Sequence, residues 1–298
     1  MILVFGGGGQ LGQALAGLGR DRGVALTALA RGEADIADGV AVGAALGAHR
    51  PALVVNAGAY TAVDAAEAEP GVALRANAEG PAVLAEACAR AGVPLVHLST
   101  DYVFDGTKPG AYVEDDPVSP LGVYGRTKAE GERLVRAAHL RHVILRTSWV
   151  YGPHGRNFLR TMLRLAGERD ELRIVADQTG CPTSTRSLAD AVLRIAPRLA
   201  RSEAGEAVWG TFHFAGAGAT SWAGFAERIV QAAAPVTGRR PRIVPIATAD
   251  YPTPARRPAN SRLDSERFEA VHGVRAARWE GETDRVVSLL TRGGTVSC

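Results

Sequence analysis

Short apolar runs and helical patterns alternate along the first half of the chain. The predicted strands are apolar runs at residues 1–5, 24–30, 53–56, 93–98 and 143–146. The predicted helices lie between them, at residues 10–22, 39–49, 70–91 and 124–139. Strands and helices that alternate in this way predict βαβ units, and therefore a Rossmann-like, doubly wound parallel sheet with helices on both faces. The fully apolar run Leu53-Val54-Val55 agrees, because strands of a parallel sheet are covered on both sides.

The pattern loosens after residue 150. Here the sequence predicts helices at 158–167 and 187–199, strands at 172–175 and 211–215, and a further helix with Ser221 as its N-cap. Prolines concentrate between residues 235 and 258, which indicates extended segments that cross a surface. Neither an internal repeat nor a low-complexity linker interrupts the chain. We therefore expect a smaller C-terminal α/β lobe that packs directly on the sheet.

Composition and charge narrow the class of protein. The 298 residues include 34 Lys+Arg and 31 Asp+Glu, a net charge of +3, which indicates neither a disordered chain nor a nucleic-acid partner. The uncharged stretches 1–19 and 207–226 are too rich in glycine and polar residues for a signal peptide or a membrane helix. Three cysteines without paired spacing, Cys88, Cys181 and Cys298, are typical of reduced thiols. We expect a cytoplasmic protein without a membrane segment.

A glycine-rich turn follows the first predicted strand and opens a helix. Gly6, Gly9 and Gly12 have the spacing G-x-x-G-x-x-G, with Gln10 and Leu11 between the last two. In a dinucleotide site the first glycine permits the tight turn, the second lets the backbone approach a pyrophosphate, and the third lets helix and strand pack closely. The helix N-terminus adds free N–H groups and a positive dipole end. Flexible turns also use glycine runs, but this position favours dinucleotide binding.

The choice of cofactor should be set at the end of the second strand, where a carboxylate would favour NAD and an arginine NADP. Arg31 is the first candidate there, which favours NADPH. Glu33 could instead be the carboxylate that favours NAD, and Arg31 could be a solvated loop residue. Asp35 and Ile36, which follow, are also predicted cofactor contacts.

The candidate catalytic residues lie after the fourth strand and at the start of the next helix. Thr100 follows the strand, at the edge where parallel sheets bind ligands. Tyr124 and Lys128 are four residues apart and share one helix face. Because a phenol has a pKa of about 10, we expect a nearby ammonium to lower it toward neutrality. Lys128 is also a candidate to hold the nicotinamide ribose. The alternative is a surface Tyr and Lys on an amphipathic helix.

With the glycine turn and Ser99-Thr100, this Tyr-x-x-x-Lys motif resembles the extended short-chain dehydrogenase/reductase superfamily. Within it the chain is most similar to the dTDP-4-dehydrorhamnose reductase family. The stretches that carry this resemblance are 9–12, 56–64, 99–106, 146–152, 177–183 and 254–261, which together span nearly the whole chain. One departure is Gly58, where we expect alanine in many relatives.

The resemblance implies an activity and a set of roles. It implies NADPH-dependent reduction of the 4-keto group of dTDP-4-dehydro-L-rhamnose to dTDP-L-rhamnose, with Tyr124 as proton donor, Thr100 sharing that hydrogen bond and Lys128 tuning Tyr124. The implied cofactor contacts after the third strand are Asn56, Ala57, Gly58 and Tyr60. The implied sugar contacts are Val63, Asp101, Tyr102 and Trp149, and those of the nucleotide diphosphate are Asn157, Gln178, Arg257 and Asn260. The alternative to a sugar contact for Trp149 is ordinary packing in the core. The alternative to a diphosphate contact for Arg257 is a position on a solvated face.

The resemblance also implies a division of the chain. A cofactor-binding domain covers 1–149 with about 184–215, and a nucleotide-sugar-binding lobe covers about 150–183 and 216–298. Some members of the family form Mg-dependent dimers through acidic side chains. No acidic cluster here demands a metal, so no metal ligand is assigned and monomer and homodimer both stay open.

Three other functions fit the same fold. A nucleotide-sugar dehydratase would carry Glu after the Asp that follows Thr100, whereas this chain has Tyr102 there. A 4-epimerase needs room for the keto-sugar to turn over, which the sequence does not decide. A non-catalytic regulatory relative is disfavoured by the intact Thr100, Tyr124 and Lys128. Besides these three functions, the sugar itself stays open, because the same reduction of another dTDP-4-keto-6-deoxysugar in secondary metabolism is also an alternative.

Overall fold

Residues 1–292 of the chain are described by a computed structural model, and Cys298 lies outside them. The strands are β1 (Ile2–Phe5), β2 (Leu26–Leu29), β3 (Leu53–Asn56), β4 (Leu95–Thr100), β5 (His142–Thr147), β6 (Val150–Tyr151), β7 (Glu171–Val175), β8 (Thr179–Gly180), β9 (Thr183–Ser184), β10 (Gly210–His213), β11 (Thr220–Ser221), β12 (Arg242–Ile246) and β13 (Asn260–Ser261). The helices are α1 (Gln10–Asp21), α2 (Gly39–His49), α3 (Val63–Ala68), α4 (Pro70–Leu74), α5 (Gly80–Ala91), α6 (Val123–Ala138), α7 (Phe158–Glu168), α8 (Thr185–Leu199), α9 (Trp222–Thr237), α10 (Glu266–His272) and α11 (Trp279–Arg292).

A six-stranded sheet in the order β10-β5-β4-β3-β1-β2, with every neighbouring pair parallel, forms the centre of the fold. This confirms the predicted Rossmann-like parallel sheet. The direction of strand addition reverses between β1 and β3, and their register aligns Phe5 with Asn56. Both strands therefore end at the same edge, at the kind of switch point where open α/β sheets bind ligands.

Alternating side chains of the strands pack against helices on the two faces of the sheet. On one face Val4 and Val55 share an apolar cluster with Leu15 of α1 and Leu188 of α8. On the other face the equivalent cluster joins β1 and β3 to α2, α5 and α6, through Leu3, Val54, Val42, Leu84 and Val135. Burial of strand residues on both faces is what a doubly wound parallel sheet requires.

The single helix predicted over 70–91 is wrong in detail, because a π-helical turn at Arg75–Glu79 separates α4 from α5. Pro81 has no N–H to donate to the carbonyl four residues earlier, and the Gly80 N–H bonds back to the Arg75 carbonyl instead. The wider turn places the buried Asn77 amide against the backbone of Tyr60, with its oxygen 2.8 Å from the Tyr60 nitrogen. The turn thereby anchors the loop that follows β3.

The C-terminal part of the chain has its own apolar cluster. Tyr151, Leu159, Phe225 and Trp279 pack together between α7, α9 and α11. Parallel strands β7 and β12 lie beside them, and β8 pairs with β11 and β13. The proline-rich sequence predicted only extended segments here, so β12, α10 and α11 were missed. Pro245 is tolerated because β12 pairs on one side only.

Strand β10 and helix α8 belong to the central sheet and its covering layer, although they follow residue 150. The proposed domain boundaries themselves stay a prediction.

Cys88 and Cys181 are buried free thiols. Within residues 1–292, each helix is too short or too polar to cross a membrane.

Candidate active site

The glycine turn after β1 is shaped by close backbone contacts. Gly6 has φ of +90°, and a Cβ atom there would lie 2.5 Å from the backbone nitrogen of Gly58. A Cβ atom on Gly12 would lie 2.3 Å from the Gly6 carbonyl oxygen. Gly9 is the N-cap of α1 and leaves the N–H groups of the first turn without a side-chain partner. The backbone therefore demands glycine at positions 6 and 12.

A cleft of about 390 Å³ lies in front of this turn. The predicted cofactor contacts that line it are Gly6, Gly9, Arg31, Asp35, Ile36, Ala57, Gly58 and Tyr60. Arg75 also lines the cleft, and no motif of the sequence pointed to it. It reaches the site from the π-helical turn, whose position depends on Pro81. The structure thus brings the segments after β1, β2 and β3 to one cleft.

The charges in this cleft centre on Asp35. Its carboxylate accepts hydrogen bonds from the Ala37 N–H at 3.0 Å and from Arg75 at 2.8 Å, and Arg31 lies 3.7 Å away. The Ala37 N–H and the Arg75 guanidinium hold the pKa of Asp35 below its ordinary value, against the opposing effect of burial. Glu33 turns back and accepts from the Ala30 N–H at 2.7 Å. Arg31 has a side chain that is 72% exposed, so it is free to meet a ligand.

Asn56 and Tyr60 shape the loop after β3. Asn56 is buried, accepts from the Gly58 N–H at 3.0 Å and contacts the His97 ring nitrogen at 3.0 Å. The Tyr60 hydroxyl donates to Glu69 at 2.6 Å. The Asn56 side chain is therefore occupied within the protein, and it holds the loop rather than pointing into the cleft.

Helix α6 delivers the predicted catalytic pair. Its N-cap, Gly122, has no side chain, and Glu67 of α3 accepts from the Val123 N–H at 2.7 Å instead. A Cβ atom on Gly125 would lie 2.1 Å from the Tyr102 carbonyl oxygen, so the helix start lies tightly against the turn after β4. The Tyr124 ring meets the Tyr102 ring edge to face, with the centroids 5.4 Å apart.

The ionisation of the pair differs from the sequence-based prediction. Burial raises the pKa of Tyr124 to about 12, while a hydrogen bond with Thr100 opposes this and the Asp101 carboxylate adds to it. The Lys128 ammonium donates to the Leu98 carbonyl at 2.6 Å, and burial lowers its pKa to about 8. The predicted fall in the pKa of Tyr124 is wrong for this structure, because burial dominates and Lys128 is directed at the Leu98 carbonyl.

Asp101 lies directly beside this pair. It is buried, accepts from the Thr100 hydroxyl at 3.1 Å, and has a pKa that burial raises to about 6. Hydrogen bonds from Ser261 and Thr100 partly oppose that rise. A carboxyl group in this state titrates near neutral pH within reach of the candidate catalytic residues.

A second cavity, of about 760 Å³, opens beside Tyr102. Of the predicted substrate contacts, Tyr102, Gln178 and Arg257 line it. Further lining residues that the sequence did not indicate include Phe158, Thr161, Met162, Arg173, Trp222 and Tyr251. The volume lies in the range typical of small-molecule sites. Tyr102 therefore contacts both the candidate proton donor and the wall of this cavity.

Trp149 occupies a constrained position next to the cavity. It has φ of +48° and stacks on Trp222 with centroids 3.5 Å apart, and Trp222 itself lines the cavity. A Cβ atom on Gly180 would lie 2.4 Å from the Trp149 ring.

Val63, the first residue of α3, is half-buried and lies outside the lining of both clefts. Gln178 bridges Thr248 and the Trp222 indole N–H.

Arg257 is held by an ion pair that crosses from the C-terminal part of the chain to α3. Its two terminal nitrogens donate to the carboxylate of Asp64 at 3.1 and 2.7 Å. Asp64 lies in the stretch 56–64 that resembles the family, but no role was predicted for it. Asp64 thus fixes the guanidinium at the wall of the larger cavity.

The structure does not bring Asn157 and Asn260 into that cavity. The Asn157 amide donates to Gln10 at 2.8 Å, and its oxygen caps α7 by accepting from the Arg160 N–H. The Asn260 amide donates to the Lys108 and Gly110 carbonyls, at 2.6 and 2.7 Å. Both side chains are occupied by contacts that join segments of the protein. Across residues 1–292, no group of three or more His, Cys, Asp or Glu side chains could hold a metal ion.

Comparison with known proteins places this architecture among the extended short-chain dehydrogenases/reductases, a class of NAD(P)H-dependent oxidoreductases. A model of the family described as "RmlD substrate binding domain" matches residues 1–292. The dTDP-4-dehydrorhamnose reductase of Sinorhizobium fredii is 46% identical over 293 residues, which cover 98% of both chains. The chain belongs to the dTDP-4-dehydrorhamnose reductase family.

Solved structures agree with this assignment. A dTDP-4-dehydrorhamnose reductase from Clostridium acetobutylicum superposes with a TM-score of 0.89 at 36% identity and covers 97% of this chain and 99% of its own. The enzyme of the same name from Bacillus anthracis, in complex with NADP, gives a TM-score of 0.87 at 31% identity and covers 96% of this chain and 97% of its own. The family resemblance and the class of enzyme predicted from the sequence are thereby confirmed.

Proposed function

We propose that the protein reduces the 4-keto group of dTDP-4-dehydro-L-rhamnose with NADPH, giving dTDP-L-rhamnose, and that Tyr124 donates the proton. The observation that carries this proposal is the placement of the Tyr-x-x-x-Lys pair, because Tyr124 packs on Tyr102 in the turn after β4 and Lys128, one helical turn further, donates to the Leu98 carbonyl at 2.6 Å. The Tyr124 phenol, with its pKa raised to about 12, is protonated at neutral pH, as a donor to a developing alkoxide must be. The names of relatives that align over nearly the whole chain support the substrate.

The cleft at the glycine turn suits NADPH. The first turn of α1 offers free N–H groups to the pyrophosphate, with no side chain on Gly9 in the way. Arg31 is the exposed cation that would pair with the 2′-phosphate, and Asp35 with Arg75 would flank the adenosine end. Lys128 would hold the nicotinamide ribose. When bound there, NADPH supplies the hydride that adds to the carbonyl carbon.

The protein's own residues handle the proton. As the carbonyl oxygen gains negative charge, the Tyr124 O–H would donate its proton to it. The Thr100 hydroxyl, which donates to Asp101 in the structure, would turn to donate a hydrogen bond to the same oxygen. Donors aimed at an oxygen that gains charge stabilise the transition state more than the ground state. Lys128, with a pKa of about 8, is predominantly an ammonium at neutral pH and would place a positive charge one helical turn from the phenolate that results.

The larger cavity would receive the dTDP-sugar. Arg257, fixed by Asp64, offers a guanidinium that suits a diphosphate. The stacked Trp149 and Trp222 rings supply an apolar wall next to it. Tyr102 lines this cavity and packs on Tyr124, so it would contact the sugar, and Asp101 next to it in the chain would do the same.

The test of this proposal is a spectrophotometric assay of NADPH oxidation. Enzymatically prepared dTDP-4-dehydro-L-rhamnose is compared with other dTDP-4-keto-6-deoxysugars, and the product stereochemistry is read by NMR. We expect the rhamnose precursor to have the highest kcat/KM. Absence of substrate-dependent oxidation with every member of the panel would exclude the reductase function, and preference for another sugar would exclude the named substrate.

Arg31→Ala should change the cofactor preference. Loss of one guanidinium–phosphate contact should raise the KM for NADPH by about tenfold and leave the KM for NADH nearly unchanged. Steady-state kinetics with each cofactor measure this. Arg50→Ala, which removes an exposed arginine at the end of α2 and outside the cleft, is the matched control. Equal changes for NADPH and NADH would contradict the role of Arg31.

We further propose a cytoplasmic protein that is a monomer or a homodimer, as the sequence predicts. Size-exclusion chromatography with light scattering, with and without Mg²⁺ and EDTA, would determine the oligomeric state and its dependence on the metal.

A further inference from the structure

Three residues on one face of α6 contact three consecutive residues of β4. Tyr124, Lys128 and Glu132 are spaced by four, so they lie one above another along the helix. Their partners in the same order are the Thr100 hydroxyl, the Leu98 carbonyl at 2.6 Å, and the Ser99 hydroxyl, which donates to Glu132 at 2.6 Å. The candidate catalytic pair, Tyr124 and Lys128, thus belongs to a row of three side chains that face β4, and Glu132 is the third.

Glu132 is fully buried and is held by cations from two elements. Arg146 of β5 donates to both carboxylate oxygens, at 2.8 and 2.7 Å, and Arg136 of α6 donates at 3.2 Å. Burial raises the pKa of Glu132, but the hydrogen bond and charge of Arg146, the Ser99 hydroxyl and Arg136 lower it below its ordinary value. The carboxylate is therefore ionised, although it is 0% exposed.

A stabilising role alone does not account for this group. The desolvation of a buried ion pair commonly cancels its Coulombic attraction, so apolar residues of similar volume would serve the core as well. What an apolar residue cannot supply is a negative charge one helical turn from Lys128 on the same face of α6.

We propose that Glu132 is a positioning residue for the reaction, which keeps Lys128 in its ammonium form and, through Ser99, holds this part of α6 against β4 so that Lys128 stays at the Leu98 carbonyl. This inference rests on the proposed function, because it assumes that Lys128 holds the nicotinamide ribose. It assigns a role in the reductase to a residue outside the Tyr-x-x-x-Lys motif.

Among the charges near Lys128, that of Glu132 favours the ammonium, while its partners Arg146 and Arg136 carry the opposite charge. Burial drives the buried amine toward its neutral form, and the charge of Glu132 acts in the opposite direction. His97 of β4 is kept neutral, because burial and the charge of Lys128 lower its pKa well below the ordinary value. Tyr124, on the same helix face, is protonated at neutral pH. Loss of the Glu132 charge would therefore lower the pKa of Lys128 toward neutrality.

The primary test is Glu132→Gln. We expect the alkaline limb of the pH profile of kcat/KM, and of NADPH affinity measured by fluorescence, to move to lower pH by about one unit. The matched control is Glu130→Gln on the same helix, since Glu130 pairs with Arg133 at the surface. Its profile should coincide with that of the unmodified protein.

Two further variants keep the test decisive if Glu132→Gln does not fold. The double variant Glu132→Gln with Arg146→Gln leaves no buried charge unpaired and should show a smaller shift in the same direction, because the positive charge of Arg146 is removed as well. Ser99→Ala retains the carboxylate but removes its bond to β4, so kcat should fall several-fold while the alkaline limb stays in place. Thermal unfolding establishes which variants are folded.

An unchanged alkaline limb in either folded charge variant would overturn the inference. If neither charge variant folds, an unchanged kcat in Ser99→Ala would overturn it. The NADPH-binding profile needs no turnover, so the two proposals can be separated. A shifted binding limb in a protein that reduces none of the sugars would remove the proposed function alone, whereas an active protein with an unshifted limb would remove this inference alone.

Discussion

Tyr124→Phe should lower kcat for the reduction by about a thousandfold and leave the Kd of NADPH within about twofold of its original value. General acid catalysis typically contributes a factor of this order, and the ring that packs on Tyr102 is retained. Stopped-flow measurement of NADPH oxidation gives the chemical step, and fluorescence titration gives the affinity for the cofactor.

The matched control for this variant is Tyr151→Phe. Tyr151 is also buried, and its hydroxyl contacts the Trp279 carbonyl at 3.2 Å and Thr283 at 3.1 Å, inside the C-terminal apolar cluster. Loss of the Tyr151 hydroxyl should lower the free energy of unfolding and leave kcat nearly unchanged. A Tyr124→Phe variant with kcat close to that of the unmodified protein would remove Tyr124 as proton donor and leave Thr100 or Asp101 to be tested in its place.

Gly12→Ala should weaken NADPH binding by more than about a hundredfold. The new methyl group would lie 2.3 Å from the Gly6 carbonyl oxygen and 2.7 Å from the Gly7 Cα atom, so the backbone of the turn itself must move. Displacement of the backbone that receives the pyrophosphate removes several hydrogen bonds together. Isothermal titration calorimetry with NADPH measures the loss.

Gly17→Ala, on the same helix, separates this effect from a general effect of alanine. Its Cβ atom would have open space within 4 Å, so the change should preserve NADPH affinity and add up to about 1 kcal/mol of helix stability. Comparable loss of affinity in both variants would show that the contact between Gly12 and Gly6 is not what the cofactor requires.

Much of the site could be predicted because its signals are local. The glycine turn, the residues after β2 and β3, and the pair Tyr124 and Lys128 each depend on a short spacing next to a recognisable strand or helix. Such spacings determine which side chains share a face or an edge, whatever the rest of the chain does.

Other features depend on contacts between distant segments, and the sequence did not reveal them. The pKa of Tyr124 rises because of burial, which only the tertiary structure determines. Asn157 and Asn260 have polar groups that suit a diphosphate, but segments distant in sequence occupy them. Arg75 reaches the cofactor cleft from a π-helical turn, which the helical pattern of residues 70–91 does not predict.

Helix α3 has a consequence for engineering. Within one turn of this helix, Asp64 forms an ion pair with Arg257 at the larger cavity, and Glu67 caps the helix that carries Tyr124. A substitution in this turn that was meant to reshape the sugar pocket would therefore also weaken the cap of α6 and so disturb the position of Tyr124. Libraries aimed at other nucleotide sugars should therefore leave residues 63–68 unvaried and place diversity at other lining residues, such as Met162, Arg173 and Tyr251.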